Sequence, residues 1–128
     1  MNEIRVLSFL AWRGDRRVGL AEVLTSLGVL VEGHRWQLII DWLVSPELEA
    51  ITEATANSSV TTSRLIDLFG GDCQLIDGEL VGYGDSPSVP EVRIRAFDSG
   101  HWDVRTGSPE LLERILMLYP DARELPGW

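Results

Sequence analysis

Residues 90–119 read PEVRIRAFDSGHWDVRTGSPELLERILMLY. Two strands, a tight turn and a capped helix follow one another in this stretch. If Asp98, Ser99 and Gly100 form a three-residue hairpin loop, Gly100 falls at the left-handed position where glycine is most comfortable. Phe97 then pairs with His101, Ala96 with Trp102, Ile94 with Val104 and Val92 with Thr106. Ala96, Trp102, Ile94 and Val104 fall on one face, and Arg95 meets Asp103 on the other. A two-residue loop would set Ala96 against Asp103 and Ile94 against Arg105, so it is rejected.

The helix follows at once. Ser108 is placed to cap it, Pro109 suits the first helical position, and Glu110 meets the positive end of the helix dipole. Leu112, Ile115, Leu116 and Tyr119 are expected on one face, and Glu110, Glu113, Arg114 and Met117 on the other. Pro120 stops the helix. A sheet covered on one face by this helix is the expected nucleus.

Working outward, residues 3–12 read as a strand with apolar side chains on both faces: Ile4, Val6, Leu10 and Trp12 on one, Leu7, Phe9 and Ala11 on the other. That pattern predicts a central position. Arg13 to Arg17 is a polar turn. Leu20, Val23, Leu24 and Leu27 have helical spacing, with Gly28 to end that helix, while the apolar run Val29 to Val31 leaves a strand-like reading of this region open. In residues 34–44, Trp36, Leu38, Ile40, Trp42 and Val44 alternate with Arg35, Gln37 and Asp41, which predicts a strand with both Trp36 and Trp42 in the core. A helix is expected from Pro46 to about Ala54, a polar loop from Asn57 to Ser63, and a helix from Ser63 to Phe69 closed by Gly70-Gly71. Asp77-Gly78 is a favoured hairpin turn, so residues 73–83 read as a second hairpin with Leu75 opposite Leu80. Gly82, Gly84, Pro87 and Pro90 mark a link, and Asp121 to Trp128 reads as an irregular tail. The expected fold is a single α+β domain over residues 1–128, a mainly antiparallel sheet with three to four helices packed on it.

The chain has 128 residues, 45% of them hydrophobic, which suits a globular protein. It has no apolar run of membrane-spanning length, no secretory pattern at the N-terminus, and one cysteine, Cys73. These features predict a cytoplasmic protein.

Net charge is −9, and all eleven basic residues are arginine. Residues 1–35 carry +1, residues 93–128 carry −1, and residues 36–92 carry −9 with Arg64 as their one cation. Nucleic-acid binding needs clustered positive charge, so it is not expected. A basic partner is the natural complement. The sharpest candidates for its contact are Asp67, Asp72, Asp77, Glu79 and Asp85, which the second hairpin would expose together. Glu47, Glu49 and Glu53 would extend the surface. A solvated acidic surface that aids solubility accounts for the same residues.

Catalytic and metal chemistry find little support. Asp98, Ser99 and His101 supply triad side chains, but all sit in one turn, where the base cannot lie between nucleophile and acid. His34, His101 and Cys73 have no metal-ligand spacing. Gly70-Gly71 ends a helix rather than opening one, so no phosphate loop is expected. No catalytic residue, cofactor or metal is assigned.

The strand-turn Phe97-Asp98-Ser99, then Trp102-Asp103-Val104, then the helix Pro109-Glu110-Leu111-Leu112 ending at Tyr119-Pro120, resembles a pattern in small bacterial immunity proteins, the cytoplasmic antidotes to polymorphic or contact-dependent toxins. The resemblance covers about a quarter of the chain. It implies a non-enzymatic inhibitor that binds a cognate toxin, often a basic nuclease. Two other readings stay open: an acidic DNA-mimic inhibitor of a nucleic-acid enzyme, and a small ligand-binding or enzymatic α+β domain.

Overall fold

The structure is a computed structural model that describes residues 3–56, 59–70, 73–97 and 100–128. It is an α+β fold with four α-helices and a seven-stranded antiparallel sheet. In chain order the elements are β1 (Arg5–Leu10), β2 (Trp12–Arg13), β3 (Arg16–Arg17), α1 (Leu20–Leu27), β4 (Arg35–Val44), α2 (Leu48–Thr55), β5 (Val60–Thr61), α3 (Thr62–Leu68), β6 (Gln74–Tyr83), β7 (Val92–Phe97), β8 (His101–Thr106), α4 (Pro109–Leu118) and β9 (Arg123–Leu125). The sheet order is β5-β4-β6-β7-β8-β1-β9, and β2 pairs with β3 alone.

The β7–β8 hairpin has the expected register: Val92 with Thr106, Ile94 with Val104, Arg95 with Asp103, Ala96 with Trp102 and Phe97 with His101. Its tip, Asp98 and Ser99, lies outside the described residues. Val92, Ile94, Ala96, Trp102 and Val104 join Leu7 and Phe9 of β1 in one core with Leu20, Leu24 and Leu27 of α1. Ser108 caps α4 by accepting the Leu111 N–H at 3.3 Å, and Pro109 opens the helix. The buried face of α4 is Leu111, Leu112 and Ile115, while Leu116 is exposed, so the apolar stripe sits about one residue earlier than expected.

Ser45-Pro46-Glu47-Leu48 repeats the letters of Ser108-Pro109-Glu110-Leu111 but behaves differently after β4. Ser45 Oγ accepts the Glu47 N–H at 3.0 Å, and α2 begins only at Leu48. A cap two residues ahead of its donor closes a turn, whereas a cap three residues ahead starts a helix. Thr61 caps α3 by accepting the Arg64 N–H. Thr62 is buried and donates to the Val31 carbonyl at 2.6 Å. Within the polar loop expected over Asn57 to Ser63, Val60 and Thr61 form β5 against Trp36 and Arg35; Asn57 and Ser58 lie outside the described residues. So does Gly71 of the pair expected to close α3.

The second hairpin does not form. β6 is one continuous strand, with Gly78 paired to Ile40 on one side and Ala96 on the other. The Asp-Gly turn signal is overruled because both edges of β6 are occupied. Glycine serves close approach here: a Cβ at Gly78 would lie 2.9 Å from the Ile39 carbonyl oxygen. Leu75 and Leu80 are therefore not partners; they pair with Leu43 and Leu38. Gly82 likewise belongs to the strand rather than to a link.

β1 is the penultimate strand rather than a central one, lying between β8 and β9. Leu7 and Phe9 are core, whereas Ile4, Leu10 and Trp12 are exposed. The tail expected to be irregular contributes β9, which pairs Val6 with Leu125 and Ser8 with Arg123. Asp121 leads into it, accepting the Leu10 N–H at 2.8 Å and pairing with Arg13. Burial pulls the Asp121 carboxyl pKa up, but the Leu10 N–H and the Arg13 guanidinium pull it down further, to below the usual carboxylate value. A depressed folded pKa stabilises the fold above the unfolded value of about 4, and that stabilisation is lost as pH falls through the folded value. Thermal melts of wild type and Asp121→Asn should therefore differ at neutral pH and converge as pH falls below about 4. A constant difference would show that the carboxylate charge is not what holds β9.

Candidate functional site

α1, α3 and α4 contribute to the core on one face of the sheet. Ile51 of α2 joins the same core, and three rows of side chains cross the opposite face of the sheet. Successive strand pairings place Ile39, Glu79, Arg95, Asp103 and Ser8 in one row. Gln37, Val81, Arg93, Arg105 and Val6 form the next. At the end nearest the β7–β8 tip, Trp42 pairs with Asp77, while His101 lies between Phe97 and Leu10.

The middle of this face is charged and internally paired. Asp103 is buried, and its Oδ2 accepts from Arg95 Nη2 at 2.7 Å. Arg93 Nη1 reaches Glu79 Oε1 at 3.5 Å. Trp128 folds back onto the same face, with the Arg95 guanidinium 4.4 Å from its ring centroid, a cation–π distance.

The tip end is apolar and exposed. Ile39, Trp42 and Phe97 are 56%, 57% and 64% accessible, and Val44 and Leu10 are also exposed. Trp42 is the clearest departure from the sequence expectation, which placed it in the core beside Trp36. A bulge explains it. Ile40 pairs with Gly78 and Trp42 with Asp77, so Asp41 is an extra residue and the alternation inverts beyond it. Leu43, only 7% accessible, takes the core position and Trp42 turns outward. The adjacent apolar pairs Ile39-Ile40 and Trp42-Leu43 were the available signal, since simple alternation leaves one member of each unexplained. Trp12 is half exposed, on the small β2–β3 ribbon.

The five acidic candidates do not converge. Asp77 and Glu79 lie on β6 and face the open side; Glu79 is partly buried against Arg93. Asp85 is exposed in the loop after β6, beyond the opposite end of the strand from Asp77. Asp67 is exposed on α3, on the helical side. Asp72 lies outside the described residues. The hairpin that was to gather them is absent, because β6 runs straight through Asp77-Gly78. Asp41, exposed at the bulge, joins Asp77 beside Trp42.

Burial pushes the Cys73 thiol up, against smaller opposing effects of Ser45 and Arg17, so it is a poor nucleophile. His101 lies in the strand ladder, while Asp98 and Ser99 are outside the described residues. Among the described residues, no group of three or more His, Cys, Asp or Glu side chains is gathered as a metal site. No helix among them is long and apolar enough to cross a membrane. Comparison of the chain with protein-family models, with curated proteins and with solved structures finds no match.

Proposed function

We propose that this chain is an immunity-type protein of the bacterial cytoplasm, which binds a cognate toxin and blocks its active site or an adjacent surface without catalysis. The observation that carries the reading is the apolar end of this sheet face, where Ile39, Trp42 and Phe97 stand exposed beside Asp41 and Asp77. Aromatic side chains ringed by polar groups are what protein interfaces use for affinity, and single exposed apolar residues would need no such explanation. The partner is basic, because the central segment that supplies β4, α2 and β6 holds the whole acidic excess. The scatter of the acidic side chains over both sides of the sheet weighs against DNA mimicry, which needs a continuous run of carboxylates.

Charge reversal tests the electrostatic half. Asp41→Lys with Asp77→Lys should slow association about tenfold at low salt and flatten its salt dependence, with little change in dissociation. Stopped-flow mixing with the toxin, active-site-inactivated for safe expression, reads both rates. Unchanged association at low salt would place the docking surface elsewhere.

A further inference from the structure

We propose that the cavity at the far end of the open face, away from Trp42, binds a small soluble oxyanion, the phosphate or carboxylate group of a low-molecular-weight ligand. The cavity has a volume of about 550 Å³, within the range of small-molecule sites, and Arg93 and Arg105 both line it. These two arginines are direct cross-strand neighbours on β7 and β8. Like charges opposite each other destabilise a sheet, and in a chain of net charge −9 the pair is conspicuous.

Neither guanidinium is saturated. Arg64, Arg105 and Arg123 make no side-chain hydrogen bond or ion pair among the described residues. Of the three, Arg105 alone is partly buried. The Arg93 contact to Glu79, at 3.5 Å, is long for a charge-assisted bond. Arg95, one row away, shows the closer contact, with Nη2 donating to Asp103 Oδ2 at 2.7 Å. Two planar forks with unused donors on one cavity suit an oxyanion, which accepts from both and cancels their repulsion. The start of α4, at Gly107 and Ser108, lines the same cavity and adds its positive dipole end. Two acids, Asp85 and Glu91, also line it. Asp85 is exposed at the rim, and Glu91 Oε1 lies 3.4 Å from His34 Nε2.

The site is independent of toxin binding and is tested on the free chain. Calorimetric titration with inorganic phosphate, pyrophosphate and acetate, at constant ionic strength balanced with chloride, should give saturable binding at one site for at least one of them. Arg105→Gln and Arg93→Gln should each weaken it about tenfold or more, and Arg123→Gln should leave it intact. In the absence of the anion, Arg105→Gln should melt about 2 °C higher than wild type, because a repulsive pair is relieved. No saturable binding of any of the three anions overturns the proposal, as does equal binding by Arg105→Gln. A lower melting point for Arg105→Gln would make Arg105 a structural brace and overturn it as well.

Discussion

Trp36→Ala is expected to cost about 4 kcal/mol, the largest loss of any single substitution considered. The side chain is fully buried. Its indole N–H donates to Thr62 Oγ1 at 2.8 Å, and Thr62 in turn donates to the Val31 carbonyl. Truncation therefore opens a cavity and breaks a buried chain that ties β4 to α3 and to the turn after α1. The ring also lies across Gly82: a Cβ there would stand 2.6 Å from Trp36 Cζ3. Gly82→Ala alone should cost about 2 kcal/mol by overpacking. In the Trp36→Ala background that clash is gone, so the two changes should be non-additive by about 1 kcal/mol or more. Urea denaturation of the four proteins measures the coupling. Strict additivity would show that the indole does not sit on Gly82.

Trp42→Ala is expected to do the reverse. With more than half its surface accessible, it should change stability by no more than about 0.5 kcal/mol. Toxin affinity should fall by about 30- to 1,000-fold, a buried aromatic anchor being worth about 2–4 kcal/mol. The loss should appear mainly in the dissociation rate. Calorimetry for affinity and urea denaturation for stability separate the two effects. A destabilised protein with unchanged affinity would return Trp42 to the core and remove the anchor from the interface.

The contrast between these two tryptophans shows where the chain was legible and where it was not. Alternation over residues 34–44 groups them together, and only the extra residue at Asp41 separates them. A bulge is set by the ladder with β6, a long-range partner that alternation within one strand does not contain. The hairpin from Val92 to Thr106 was readable because only one loop length brings its apolar partners together and Arg95 opposite Asp103. The start of α4 was readable because Ser108, Pro109 and Glu110 act within one turn. Asp77-Gly78 misled for the opposite reason: its local turn preference is real, but Ile40 and Ala96 hold Gly78 in the middle of the sheet. β9 is a strand because β1 offers it an edge. The acidic excess was visible in composition, yet composition does not say which side of a sheet each carboxylate takes. Asp67 and Asp77 parted company there.

The central claim is that the open sheet face docks a basic toxin. The most direct measurement is to co-express the tagged chain with the product of the neighbouring gene, purify at low and at high salt, and map amide hydrogen exchange with and without the partner. The account predicts a stoichiometric complex with a basic protein that arrests growth when expressed alone, and slowed exchange in β4, β6 and β7 around Trp42 and Phe97. A folded, monomeric chain that captures no such protein, or a complex whose protection falls on α1, α3 and α4 instead, would contradict it.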